Sequence, residues 1–267
     1  MKISCLITTY NEEKYIEECL KTTIAAKPDE IIVVDDDSTD STIDIVKKIK
    51  TESKIPIQVI KIKRSGQDKA RNAGLKHVKG DVVCFLDADM IVDKNYFNAI
   101  REDIQKYDML DLNEIPIVVN WVSEYLASLH KAMKKPHHGM TYKTELLKER
   151  FNSGYYLDSV LTKKLLEKGY KLGASNSTVH HHVHTDYKWF FSLGIQMFKN
   201  SEDSRIKLRI AYSLLSLTPL FVFCAAYRSI KFQNFKIFFF EWIAKIIESI
   251  GVIYAFWKKD IYPWFSE

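Results

Sequence analysis

The sequence predicts an α/β fold, Rossmann-like, with a mostly parallel sheet covered by helices on both faces and a C-terminal helical segment that associates with a membrane. Three observations predict it. Over the first hundred residues, short apolar runs of strand length alternate with segments whose apolar residues recur at helical spacing. Polar clusters follow several of those runs. Beyond residue 200, two long apolar stretches are bracketed by Lys, Arg and Trp.

Lys2–Ile7 is the first strand, and Glu12–Thr23 the first helix, with Tyr15, Ile16, Cys19 and Leu20 on its apolar face. Glu30–Val34 is a second strand, rich in Ile and Val. Ser38 or Ser41 caps the next helix, which carries Ile43, Ile45, Val46 and Ile49. Ile57–Ile62 is the third strand, Gln67–His77 the third helix, and Asp81–Leu86 the fourth strand. Strands alternating with helices imply βαβ units with right-handed crossovers. Residues 101–150 carry little signal. Val118–Lys134 reads as a helix bearing Trp121 and Tyr125.

Composition narrows the partners. The 267 residues include 15 Phe, 14 Tyr and 5 Trp, and the net charge is +5. Many basic residues lie beside the C-terminal apolar stretches, which points to a membrane surface and not to nucleic acid. Cys5, Cys19, Cys84 and Cys224 are far apart and form no C-x-x-C, so they read as buried thiols of a reducing compartment. Met1 leads straight into a strand-like segment, and no signal peptide is expected.

The chemistry gathers where the strands end. Asp87-Ala88-Asp89 follows the apolar run Val82–Leu86. A buried strand ending in two carboxylates offers hard oxygen ligands to a divalent cation shared with a diphosphate. Open α/β sheets bind ligands at that edge. A strand-terminating turn is the competing reading. Thr8-Thr9-Tyr10-Asn11-Glu12 and Asp35–Asp40 close two other strands, and the third helix opens with Gln67-Asp68-Lys69-Ala70-Arg71-Asn72. Together these form a nucleotide-diphosphate site. The carboxylates hold the metal and accept from base or ribose donors, while Lys69 and Arg71 neutralise phosphate. Helix capping accounts for one or two of Asp35, Asp36 and Asp37, but not for all the clusters.

Four segments resemble the family 2 glycosyltransferases with the GT-A fold: Ile7–Glu12, Val33–Asp40, Ala70–Gly74 and Phe85–Asp89, in the expected order. The likeness is strong over residues 2–100 and weaker to about residue 200. It implies an inverting transferase that uses a nucleotide-sugar donor and Mg²⁺ or Mn²⁺. By position, Thr8, Tyr10 and Asp36 face the nucleobase and ribose. Arg71 lies near base or diphosphate, and Asp87 and Asp89 flank the metal. Glu12, Lys69 and Asp87 belong to the same donor site. Asp37 stands where the family usually has Gly, which tolerates positive φ more readily. The chain then divides into a nucleotide-sugar-binding half at 1–100, an acceptor-side half at 101–200 and membrane-associated helices at 201–267.

The resemblance places the general base at Asp158, within Tyr156–Leu161, where Leu157 replaces the family's usual Glu. Apolar neighbours raise a carboxylate's pKa by desolvation, which suits a base. Capping the following helix is the alternative role. Asp111, Glu114 and Glu149 stand in reserve. In His180-His181-His182-Val183-His184, an extended chain puts His180, His182 and His184 on one face. Many GT-A enzymes take a metal or diphosphate contact from this region, so His180 and His182 join Asp87 and Asp89 as metal ligands. Imidazole suits Mn²⁺ better than Mg²⁺. A solvated polar strand is the alternative.

Ile210–Tyr227 is uncharged and nearly long enough to span a bilayer, with Pro219 inside it. Ile237–Trp257 is interrupted by Glu241, Lys245 and Glu248, which share one helical stripe. A spanning hairpin would set Arg228–Lys236 on the far side, against the positive-inside rule. Interfacial helices would keep every basic cluster on the cytoplasmic face. A buried helical pair in an oligomer is a third reading. Either membrane mode suits a cytoplasmic catalytic domain acting on the hydroxyl or phosphate of a lipid-linked acceptor or of a growing surface glycan. A nucleotidyltransferase and a catalytically silent nucleotide-binding module are the alternative functions, the latter because of Leu157.

Overall fold

The computed structural model describes residues 1–120, 139–148, 157–182 and 235–261, with isolated positions 123, 124, 127, 226, 227 and 230. They fall in two compact units, Met1–Ile117 with Met133–His182, and Val118–Ala132 with Val183–Glu267.

The first unit is built on one eight-stranded sheet. Its opening follows the expected alternation: β1 (Ile3–Thr9), α1 (Ile16–Ala25), β2 (Glu30–Asp35), α2 (Thr42–Glu52), β3 (Ile57–Lys61), α3 (Gln67–Leu75) and β4 (Val82–Asp87). Then come β5 (Met90–Val92), α4 (Tyr96–Asp103), β6 (Met109–Ile117), β7 (Gly139–Lys143), a 3₁₀ turn at Thr144–Lys148, α5 (Leu157–Glu167) and β8 (Leu172–His182). The strand order is β3-β2-β1-β4-β7-β6-β8-β5. β1 pairs in parallel with β2 and β4, and β2 with β3, while β7 is antiparallel to both its neighbours. The sheet therefore runs without a break across residue 100.

Every residue of β1 is buried, because helices cover both faces. Strand alternation sends Ile3, Cys5 and Ile7 into one layer with Ile16, Leu20, Val46, Phe97 and Ile100. Leu6 goes to the other, with Ala70, Phe85, Tyr142 and Leu165. Gly74 lets α3 sit on the sheet: a Cβ there would lie 2.6 Å from Leu6 Cδ1. Cys5, Cys19 and Cys84 are free buried thiols, and burial pushes Cys84 up to about 11. Cys224 lies outside the described residues. Neither proposed serine caps α2 through its side chain. Ser41 holds the N-cap position without a side-chain bond, and Asp40 accepts from the Thr42 N–H instead. β5 to β8 were not visible in the sequence.

In the second unit α6 (Lys236–Ile261) runs for 26 residues. Phe239, Ile243, Ile250, Ile253 and Tyr254 are exposed along it. At ~100° per residue these positions share one stripe, and the positions of Glu241, Lys245 and Glu248 fall on the opposite side. Among the described residues no helix is long and apolar enough to cross a membrane. Apart from Ala226 and Tyr227, the stretch 210–227 lies outside the described residues, as does most of Val118–Lys134.

Candidate active site

β2 and β3 extend the sheet to one side of β1 and β4 to the other, which makes the β1/β4 edge a topological switch point. Ligands of open α/β sheets bind there, beyond the carboxyl ends of the strands. Thr8, the penultimate residue of β1, is in register with Asp87 at the end of β4. The β1 and β2 tips are tied together: Thr39 donates its N–H to Asn11 Oδ1 (2.8 Å), and Asn11 its own to Ser38 Oγ (2.9 Å). The Glu12 N–H bonds Thr42 Oγ1, so Glu12 starts α1 against α2.

Asp36 is buried and organises the loop ahead of α3. Its oxygens accept from the N–H groups of Ser65 (2.7 Å) and Gly66 (2.8 Å) and from the Arg64 guanidinium. Gly66, at φ 95°, makes this close return possible. Arg64 also lies over the exposed Tyr10 ring, Cζ 3.5 Å from the centroid. Asp37 adopts φ 71°, the conformation in which Gly is usual, and pairs with Lys61 at 3.3 Å.

On α3, Gln67 and Arg71 are one turn apart and both reach Asp87 Oδ1, at 2.6 and 3.2 Å. Arg71 is buried, with its guanidinium 5.7 Å from the Phe85 ring. Lys69, two positions along α3 from each of them, is exposed.

Asp89 is buried, and its partner is His181 on β8, Nε2 3.1 Å from Oδ2. The other ring nitrogen lies 2.8 Å from Glu114 Oε1 on β6. Burial opposes a charged imidazole here, but the bonds to Asp89 and Glu114 outweigh it and hold the metal-free ring well above its ordinary pKa. β8 is extended, so His180 and His182 share one face, but the face that meets Asp89 is that of His181. His180 and His182 lie across the strand from Asp89: His180 is 3.7 Å from Asp93, and His182 stacks on Tyr15 at 4.4 Å. His184 is outside the described residues. Asp158 stands in the first turn of α5, with its side chain outside the described set.

The donors suit a divalent ion. Two ligands of an octahedral ion, bonded at ~2.1 Å and at right angles, stand roughly 3.0 Å apart. His181 Nε2 and Asp89 Oδ2 have that spacing. Among the described residues no three His, Cys, Asp or Glu side chains form a metal cage by themselves. Mg²⁺ and Mn²⁺ commonly take their remaining ligands from substrate phosphate and water. Sequence reasoning missed Arg64, Gln67 and His181 as site residues. Only the Arg64-Ser65-Gly66-Gln67 run before α3 carried a local signal, a Gly at a helix start.

Known proteins match this chain in sequence and in shape. Residues 4–157 match Glycosyl transferase family 2. The poly(ribitol-phosphate) beta-N-acetylglucosaminyltransferase TarS of Staphylococcus aureus is 39% identical over 100 residues, 35% of this chain and 17% of that protein. The undecaprenyl-phosphate 4-deoxy-4-formamido-L-arabinose transferase of Edwardsiella ictaluri is 38% identical over 94 residues, 33% of this chain and 29% of that one. This chain thus matches under a third of each relative's length. The mannosyltransferase PcManGT of Pyrobaculum calidifontis, solved with GDP-Man and Mn²⁺, superimposes with a TM-score of 0.62 at 18% identity, covering 97% of this chain and 88% of the other. Since the matched segment is more than half of the 267 residues, the chain belongs to glycosyl transferase family 2.

Proposed function

We propose that this chain transfers a sugar, with inversion, from a nucleotide-sugar donor to a lipid-linked or glycan acceptor, using Mg²⁺ or Mn²⁺. The observation that carries the reading is the pairing of Asp89 with His181 two residues beyond Asp87, which Arg71 holds at the β1/β4 switch point. A buried and a partly buried carboxylate beside a buried arginine suit a diphosphate and its counter-ion. When bound, the ion would offset charge developing on the leaving diphosphate. Asp89 and His181 would hold it, phosphate and water completing its shell, while Asp87 stays on Gln67 and Arg71, and Arg71 would meet phosphate oxygens. Thr8, Tyr10 and Asp36 would bind nucleobase and ribose.

In the transfer, the acceptor hydroxyl attacks the anomeric carbon from the face opposite the diphosphate. The carbon–oxygen bond to the diphosphate breaks, the nucleoside diphosphate leaves, and the hydroxyl proton passes to Asp158. Asp158's place in the first turn of α5 also favours a carboxylate electrostatically.

A membrane-associated, cytoplasmic catalytic domain remains our reading of the C-terminal part. The exposed apolar stripe of α6, with charged positions opposite and Lys236, Lys258 and Lys259 at its ends, supports an interfacial helix over a spanning one. The undecaprenyl-phosphate transferase relative supports a lipid-linked acceptor.

The test is transfer of label from a panel of UDP- and GDP-sugars, with Mn²⁺ and a membrane lipid extract. We expect label in a lipid or glycan product with one donor. Donor hydrolysis or binding without such a product, across the whole panel, contradicts the reading.

A further inference from the structure

The geometry points to Glu114 as a positioning residue, whose carboxylate holds the Nδ1 proton of His181 and so turns Nε2 toward the ion shared with Asp89. This rests on the reading in which Asp89 and His181 face a divalent cation.

Three observations carry it. Glu114 Oε1 is 2.8 Å from Nδ1, while Nε2 is 3.1 Å from Asp89 Oδ2, so the ring is held at both nitrogens in a line from β6 to the end of β4. An ionised carboxylate accepts hydrogen bonds and cannot donate them. Both ring nitrogens face a carboxylate; when an ion shared with Asp89 takes the Nε2 lone pair, the ring's remaining proton stays on Nδ1, held by Glu114. Second, the spacing is fixed by backbone pairing. β6 runs parallel to β8, Glu114 in register with Val179 and Pro116 with His181. On β6 the side chains of Asn113 and Ile115 fall on the opposite face, so neither neighbour can substitute for Glu114. Third, the Glu114 and His181 side chains are both mostly buried, which limits competition from water. A carboxylate committed to Nδ1 is also poorly placed to take an acceptor proton, which removes Glu114 from the reserve bases.

The experiment titrates Mn²⁺ into the full chain with UDP present, following free Mn²⁺ by electron paramagnetic resonance. Pulsed measurements on the bound ion read coupling to imidazole nitrogen. UDP affinity without metal is measured alongside. We expect Glu114→Ala to bind Mn²⁺ ~10–100-fold more weakly, the usual cost of losing such a support. Its nitrogen coupling should weaken, and its metal-free UDP affinity should match that of the unaltered chain. Glu114→Gln should fall between, since its amide oxygen still accepts from Nδ1 without the charge. Unaltered Mn²⁺ affinity and coupling in Glu114→Ala, with Mn²⁺ binding lost in Asp89→Asn, overturn the role of Glu114 alone. Full Mn²⁺ binding by Asp89→Asn instead overturns the metal site itself. Should Glu114→Ala not fold, Glu114→Gln decides: Mn²⁺ affinity equal to that of the unaltered chain overturns the proposal.

Discussion

His181 reaches Asp89 from 92 residues further along the chain, Nε2 3.1 Å from Oδ2. The contact exists because β8 returns to lie between β6 and β5, and β5 begins directly after Asp89. The His182 N–H donates to the Asp89 carbonyl at 3.2 Å, so the backbone pins the approach as well. One side of the candidate site thus comes from the parallel half of the sheet and the other from the mixed half.

Asp36 ties three successive residues, Arg64 to Gly66, onto the end of β2. Replacing it with Ala leaves two partly buried N–H donors and a half-exposed guanidinium without their acceptor. We expect Asp36→Ala to lower stability by about 2 kcal/mol, the scale for hydrogen bonds to a charged group whose partners are partly exposed. Urea denaturation measures this, and an unchanged midpoint would show that the network contributes little.

For Asp158, the expected signature is kinetic. Asp158→Asn should cut the transfer rate at least ~100-fold, because losing a general base typically costs roughly 10²–10⁴. Donor binding, read by calorimetry, should stay nearly constant. Retained turnover moves the base to another residue.

Asp108 opens a pH-dependent prediction about stability. It accepts from Lys143 Nζ (2.7 Å) and from the Lys171 N–H (2.9 Å), joining the start of β6 to the end of β7 and the start of β8. The Lys143 bond leads in holding its carboxyl below the ordinary value of 3.8. A depressed folded-state pKa stabilises the fold above the unfolded value, and that contribution is lost as pH falls through the folded one. Asp108→Asn should therefore cost about 1 kcal/mol at pH 7, the scale of a partly exposed pair. The difference should close below pH ~4, where the unfolded carboxyl protonates. A gap that widens on acidification contradicts this.

The C-terminal part makes a simple physical prediction. The full chain should sediment with membranes, and truncation between Asn200 and Ser201 should release it. A tag between Arg228 and Lys236 should label only from the cytoplasmic side, as interfacial helices require. Labelling only from the far side means a spanning hairpin, and a full-length protein that stays soluble and monomeric without detergent defeats both.

The parallel half was legible because its strands are buried on both faces and so read as unbroken apolar runs, such as Ile31–Val34. β8 was not. Leu172–His182 holds Ser175, Asn176 and Ser177 in place of apolar residues, and they are satisfied by partners invisible to local pattern. Asn176 bonds Asp103, 73 residues away, and Ser175 bonds Ser177. Asp87 and Asp89 were legible because they end a strand. The choice among His180, His181 and His182 was not, since parity sorts them into two faces without saying which face meets Asp89. That depends on the pairing of His181 with Met90 across β8 and β5.

The central claim is a donor site that binds nucleoside diphosphate through a divalent cation. Calorimetric titration of UDP and GDP, with Mn²⁺ and then with chelator, tests it most directly. One nucleotide should bind the unaltered chain at least ~10-fold more tightly with Mn²⁺, and Asp89→Asn should lose this difference. Equal nucleotide affinity with and without Mn²⁺ in the unaltered chain would contradict it.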